Sequence, residues 1–196
     1  MVEHKWIEES LKAFARVMKK HKIPFWLEYG TQLGAVREGR IIPYDYDGDI
    51  GVMLSSVNKM KDLKEDFEAE EIMMAYQPNH IFINYKVNDR EWLATVDVYT
   101  FTVKKHKGKK WLVRIENGKE FDVRSPFEYY EKLKAIYFLG EIFFIPWMAR
   151  EALEFAYGKE WKTPIKKPGV QIMIGKPTDK QLNQMGRTHH KKLEDL

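Results

Sequence analysis

The sequence predicts an α/β (α+β) fold, a mixed β-sheet flanked by helices, with a helical C-terminal part. Three observations predict it. Apolar residues near the N-terminus recur at three- and four-residue spacing, a series of short β-branched and aromatic runs follows, and Asn117-Gly118 divides two such runs as a hairpin turn does. With 196 residues, 44% of them apolar, the chain can bury a sizeable core, and one domain over residues 1–196 is expected.

Each element has its own signal. Trp6, Ile7, Leu11, Phe14, Ala15 and Met18 mark an amphipathic helix that runs to about Lys20 and stops before Pro24. Phe25 to Tyr29 reads as a short aromatic strand, and Gln32 to Arg37 as a short helix after Gly30-Thr31. Asp49 to Leu54 is a second strand, and Lys59 to Glu71 a polar helix. Ile81 to Val87 and Trp92 to Val103 are strands turned at Asn88-Asp89, and Trp111 to Ile115 and Glu120 to Val123 flank Asn117-Gly118. Ile142 to Ile145 is a further strand. Pro146 suits the first turn of a following helix and Gly158 the position past its end. Thr178-Asp179-Lys180-Gln181 is a capping box for a last helix.

Composition excludes several classes. The chain has no cysteine, which rules out disulfides, a thiol nucleophile and a cysteine zinc site. The formal charge of +4 permits an anionic substrate without demanding nucleic acid. The N-terminus lacks the apolar stretch of a signal peptide, and the greasiest run, Ile136 to Met148, is broken by Glu141 and Pro146 and is shorter than the ~20 apolar residues of a membrane span. A cytoplasmic location without a membrane anchor is the expectation. The basic run Lys104 to Lys110 reads as a solvated hairpin tip.

The chemistry is concentrated in Tyr44-Asp45-Tyr46-Asp47-Gly48-Asp49-Ile50. In an extended segment, side chains two apart share a face with Cα atoms roughly 6.5–7 Å apart. Three carboxylates so arranged repel one another unless a cation sits among them. The spacing is not that of a calcium loop: the glycine falls between the second and third acids, and Ser56 stands where the last loop glutamate belongs. Apolar Ile50 to Leu54 follows directly, so the acids open a strand. Magnesium, or manganese, held by carboxylates and substrate phosphates is the expectation. Asp97, flanked by β-branched residues, is costly in a central strand unless paired or bound to metal, and is otherwise an edge-strand surface acid. Gly30-Thr31 either offers helix N-terminal N–H groups to phosphate or is a plain helix start with Thr31 as N-cap. Arg37 and Arg40 lie between that turn and the acids, placed to neutralise a pyrophosphate.

Gly-Thr after one strand, Asp-x-Asp opening the next and a lone Asp on a later one is the pattern of the nucleotidyltransferase fold. Phe25-Trp26-Leu27-Glu28-Tyr29-Gly30-Thr31-Gln32-Leu33-Gly34-Ala35-Val36-Arg37, with Ile41-Ile42-Pro43-Tyr44-Asp45-Tyr46-Asp47-Gly48-Asp49-Ile50, closely resembles the LicD/fukutin family, nearest to its fukutin-related members. Asp97-Val98-Tyr99 and the stretch from Phe143 to Trp161 resemble that family's C-terminal half.

The resemblance implies a metal-dependent transferase that moves a phospho-alcohol, of the phosphocholine or alditol-phosphate type, from a CDP-activated donor to a hydroxyl of a glycan or glycolipid acceptor. It implies that Asp47, Asp49 and Asp97 are the catalytic and metal-binding carboxylates, that Gly30 and Thr31 line the donor phosphates, and that Asp45 and Arg37 support the site. Three departures stand out: Gly48 replaces an aliphatic residue and is expected to loosen the backbone, Gln32 replaces another, and the cysteines and anchor of some eukaryotic relatives are missing. The same acids would equally serve a nucleotidyltransferase that keeps the nucleoside monophosphate and attaches it to a small molecule, protein or RNA. A non-enzymatic basic adaptor would have no use for the carboxylates.

Overall fold

In the computed structural model, which describes residues 4–77, 80–89, 91–164 and 192–196, the predicted order of elements is largely present. Helix α1 (His4–Lys20) is followed by β1 (Phe25–Leu27), α2 (Tyr29–Arg37) and β2 (Gly48–Met53). Two short helices, α3 (Val57–Lys61) and α4 (Lys64–Ala69), stand where one polar helix was expected. Then come β3 (Ile72–Gln77), β4 (His80–Asn88), β5 (Glu91–His106), β6 (Lys109–Glu116) and β7 (Lys119–Pro126), the hairpin β8 (Leu133–Phe138) and β9 (Glu141–Pro146), and α5 (Ala149–Tyr157). The capping box at Thr178 lies outside the described residues.

Seven strands make one mixed sheet in the order β1-β2-β5-β4-β3, with β6 and β7 branching from β5. All of its pairings are antiparallel except β2 with β5. Strand β5 is 16 residues long and serves both branches on one edge: β4 pairs with it up to Val98, and β6 takes over from Thr100. The sheet therefore forks at Tyr99. The Lys104 to Lys110 run is the tip of the β5–β6 hairpin, with Lys107 and Gly108 at positive φ.

One face of the sheet is covered by α1, whose Ile7, Leu11, Phe14 and Met18 pack in one core with Ile50, Val52, Val96, Val98 and Ile83. The other face carries Trp26, Phe101, Leu112 and Tyr130 with Ala152 of α5. Alternation along β2 and β5 puts Asp49 and Asp97 on this second face. Two glycines in β2 explain how the layers approach. A Cβ on Gly48 would meet Leu11, Val96 and Ile7 at 3.1–3.2 Å. Gly48 thus seats α1 and is paired with Val96 in the ladder, so the loosened backbone expected there is not what the structure shows. A Cβ on Gly51 would lie 2.3 Å from the indole of Trp26, its cross-strand partner.

Two strands and one helix start differ from the sequence reading. That reading assigns no element to Ile72–Gln77, where Met73, Met74 and Ala75 favour helices; pairing with β4 makes it a strand. Hairpin β8–β9 turns at Leu139-Gly140, both at positive φ, without a strong turn dipeptide. Pro146 ends β9 rather than opening α5, because the next two N–H groups donate to Lys132 and Tyr129 carbonyls, which delays the helix to Ala149. Gly158 does end α5, at a φ of 83°.

Gly51→Val should destabilise the fold by about 1–3 kcal/mol, since Trp26 is a buried ring that cannot swing aside. The midpoint of urea unfolding checks this, and a midpoint at the wild-type value would contradict the packing described.

Candidate active site

The parallel β2–β5 register places Asp49 directly opposite Asp97. Asp47 sits just before β2, exposed, and its carboxylate joins theirs: one oxygen from each of the three lies within 4.8 Å of the others. Central β5 excludes the edge-strand reading of Asp97, which is half-buried between β2 and β4. Asp49 is 5% exposed. Three carboxylate oxygens at this range, one from a rigid strand, one from its neighbour and one from the rim, are a hard-oxygen donor set suited to a divalent cation such as magnesium.

Asp49 is held by the helix that precedes it. The N–H groups of Gly30 and Thr31 donate to its Oδ2 at 2.9 and 3.4 Å, and its own N–H donates to Thr31 Oγ1 at 2.8 Å. The positive end of the α2 dipole thereby faces the acids. The N-cap is Glu28, which accepts from Tyr29 N–H, not Thr31. Tyr29 turns the chain into the helix at a φ of 40°, a strained value for a bulky residue. A Cβ on Gly30 would lie 2.8 Å from Asp45 Oδ2 and 3.3 Å from Asp49 Oδ2, so a side chain there would push the Asp45 carboxylate aside. Asp45 thus abuts the helix start while the cluster of three forms beside it. It does not extend β2, because Asp45 N–H turns back to the Ile42 carbonyl.

Arg37 is not brought to the carboxylates. It is the last residue of α2, about 10 Å along the axis from Gly30 at 1.5 Å per residue. There its guanidinium bonds Glu38 at 2.5 and 2.9 Å and the Trp161 carbonyl at 3.5 Å. Arg40 is also committed to Glu38, at 3.2 Å.

Two arginines that sequence reasoning missed lie on the carboxylate face. Arg124, 3% exposed, forms an ion pair with the fully buried Glu28. Glu28 also accepts from Trp26 Nε1 at 2.6 Å and from the Tyr130 hydroxyl, and Arg124 donates to Gln32 Oε1 at 3.3 Å. That last bond accounts for glutamine at position 32. Burial opposes the Arg124 charge, but Glu28 and the surrounding tyrosines outweigh it and hold the guanidinium well above its ordinary value. Arg114 lies over the Tyr99 ring at 4.5 Å and the Phe121 ring at 4.7 Å, and meets Glu116 at 3.3 Å. The Tyr99 hydroxyl donates to Asp97 Oδ2 at 3.1 Å. Both arginines owe their setting to β-bulges in β7. The register skips Arg124 between Val123 and Ser125, and skips Phe121 between Glu120 and Asp122. A bulge re-aims a side chain beside a site. The only sequence signal was an arginine beside Val123 where alternation would predict a surface position.

Against this geometry, the family described as LicD/FKTN/FKRP, nucleotidyltransferase domain, matches residues 22–147. The chain belongs to the LicD/FKTN/FKRP family. The matched span takes in β1 through β9 and all three clustered acids. The chain is similar to the ribitol-5-phosphate transferase FKTN of Homo sapiens, 29% identical over 171 residues, covering 81% of this chain and 34% of that protein. It is also similar to the ribitol 5-phosphate transferase FKRP of Homo sapiens, 38% identical over 58 residues, covering 30% of this chain and 12% of that one. An uncharacterized protein of Rickettsia prowazekii (strain Madrid E) is 36% identical over 69 residues, covering 35% of this chain and 26% of its own length. This LicD/FKTN/FKRP chain spans about a third of the length of the FKTN proteins it matches. None of its helices, among the described residues, is long and apolar enough to cross a membrane.

Two outcomes are expected of the buried network. Glu28→Gln or Arg124→Met alone should cost about 3–5 kcal/mol, since each leaves one charge buried without its partner, while the double variant should cost clearly less than the sum; urea unfolding of the four proteins checks it. Burial raises the pKa of Tyr29, Tyr99 and Tyr130 above the ordinary value of 10. The folded state therefore keeps protons that the unfolded chain gives up, so their contribution is intact below about pH 10 and is lost as pH rises further, at up to ~1.4 kcal/mol per pH unit for each group. In an absorbance titration these three phenolates should appear together with the loss of circular dichroism. Full ionisation of every tyrosine in a still-folded chain would contradict this.

Proposed function

We propose that this chain is a metal-dependent transferase that moves a phospho-alcohol from a CDP-activated donor to a hydroxyl of a glycan or glycolipid. The clustering of Asp47 with Asp49 and Asp97 of the adjacent parallel strands carries the reading, and membership of a family that includes ribitol-5-phosphate transferases supports it.

Asp47, Asp49 and Asp97 would hold magnesium or manganese. When bound, the ion supplies charge stabilisation for a phosphoryl group under attack. The chain's own residues do the rest. Thr31 and the Gly30 N–H fix the Asp49 carboxylate so that it needs no reorganisation on substrate binding. The Tyr99 hydroxyl fixes Asp97 in the same way. Gly30 leaves the entry of α2 free of a side chain, so the donor phosphates could approach the backbone beside the carboxylates. Exposed Asp47 is the member that closes the set from the solvent side.

The test is incubation with CDP-choline, CDP-ribitol, CDP-glycerol and the NTPs, with and without magnesium. Metal-dependent release of CMP from one CDP-alcohol is the expected result. Pyrophosphate from an NTP would instead make the chain a nucleotidyltransferase. Asp47→Ala should lower turnover at least about 100-fold, ~2.7 kcal/mol of transition-state stabilisation, with unfolding unchanged. Asp49→Ala should do the same and also cost about 1–3 kcal/mol of stability, because it leaves the Gly30 and Thr31 N–H groups without their acceptor. Turnover that survived both substitutions would remove Asp47 and Asp49 from the metal site.

A further inference from the structure

The three clustered acids are not held alike. Asp49 is fixed by the ladder and by the α2 N–H groups, and Asp97 by the central strand and the Tyr99 hydroxyl. Asp47 is exposed and precedes the β2–β5 ladder, whose first pair is Gly48 with Val96. A metal ligand on a loose segment loses conformational freedom when the ion binds, whereas one already held does not.

Helix α1 supplies the hold from behind the sheet. His4, Ile7 and Leu11, at i, i+3 and i+7, form one stripe along it. Ile7 and Leu11 pack on Gly48, directly after Asp47. His4 lies about 4.5 Å further along the axis, and its Nε2 meets the Asp45 carbonyl, two residues before Asp47, at 3.1 Å. A carbonyl only accepts, so this bond requires the proton on Nε2. The Asp45 N–H is taken by the Ile42 carbonyl. Both backbone groups of Asp45 are therefore committed.

The stripe is itself anchored. Trp6 lies against Tyr85 of β4 with ring centres 5.2 Å apart. The Thr95 hydroxyl, two residues before Asp97 on β5, donates to Ser10 Oγ at 2.6 Å, and Ser10 donates on to the Trp6 carbonyl at 2.7 Å. His4 thus projects from a helix turn tied to the strands on which the site is built. The family match over residues 22–147 does not take in α1.

We propose that His4 is a positioning residue for the carboxylate cluster: its Nε2–H holds the Asp45 carbonyl, so that α1 grips the backbone on both sides of Asp47 and keeps that carboxylate in place for a divalent cation shared with Asp49 and Asp97. This rests on reading the three acids as a metal site. His4 touches neither the ion nor a substrate and acts through Asp47.

The test measures manganese binding to the full chain by paramagnetic resonance of the free ion, and backbone amide exchange over residues 43–48. His4→Phe keeps a ring but removes the donor; it should weaken manganese binding about threefold to tenfold, the worth of one hydrogen bond. Exchange at Tyr46 and Asp47 should quicken in it, with urea unfolding close to wild type. His4→Gln, whose amide can still donate, should recover much of both. With Asp47→Asn already in place, His4→Phe should weaken binding by less than about a further twofold, because the two act as one unit. Manganese binding that Asp47→Asn weakens and His4→Phe leaves unchanged would overturn the role of His4 and leave the metal site standing. A fall in the urea midpoint of His4→Phe with unchanged exchange and manganese affinity would make His4 a purely structural residue. A wild-type chain that binds no manganese would overturn the metal reading itself.

Discussion

The parallel pairing of β2 with β5 is the constraint on which the rest of the molecule depends. Its register sets Asp49 beside Asp97 with both side chains on one face. That arrangement is unfavourable by itself, because two carboxylates on neighbouring strands repel and one of them is almost wholly buried. The fold compensates from both sides of the sheet. Behind it, α1 closes on Gly48 and the valines of β5 and fixes the strands against one another. In front, the N-terminus of α2 delivers two N–H groups to a single oxygen of Asp49.

That delivery is anchored further back. Glu28 ends the β1 segment and caps α2, so whatever holds Glu28 also aims the helix at Asp49. The holder is Arg124 in a bulge of β7, with Trp26 and Tyr130 completing the shell around the carboxylate. Position is therefore passed along a line of charged contacts, from Arg124 to Glu28, through the helix start to Asp49, and across the ladder to Asp97. A buried ion pair is a poor source of net stability. Its value in this place is geometric, since a strained Tyr29 and a sharp entry into α2 persist only where their surroundings over-determine them.

Much of this was legible in the sequence, for identifiable reasons. The order of elements followed from apolar periodicity, and the three acids from their alternation before Ile50, because regular strands and helices write their period into the side chains. What was not legible lies where the period breaks. Asp45 alternates with Asp47 and Asp49 in the sequence as if on one strand face, yet the chain turns at Ile42 and the strand begins only at Gly48. Arg37 looked near the phosphates because it is near them in the chain, but a helix carries it away from its own N-terminus. Gln32 and Gly48 looked like departures and are fitted to partners distant in sequence, Arg124 and Leu11. Arg114 and Arg124 could not be placed because bulges at Phe121 and Arg124 shift the phase of β7, and a bulge leaves no signature in alternation.

The two arginines also show why burial alone does not mark a binding group. Arg124 faces a carboxylate, an amide oxygen and the ring of Tyr29 at 5.0 Å, and it is closed from solvent. A phosphate could reach it only by displacing Glu28, which would uncap α2 and release the strain at Tyr29. Arg114 is held differently. Its guanidinium lies over the Tyr99 and Phe121 rings at 4.5 and 4.7 Å and donates to Glu116 at 3.3 Å. It lines the cleft at the fork, and Tyr99, whose ring it lies over, also bonds Asp97. One guanidinium is thus a structural charge whose polar capacity is met within the fold. The other lies against two aromatic rings and shares the Glu116 carboxylate at the fork of the sheet.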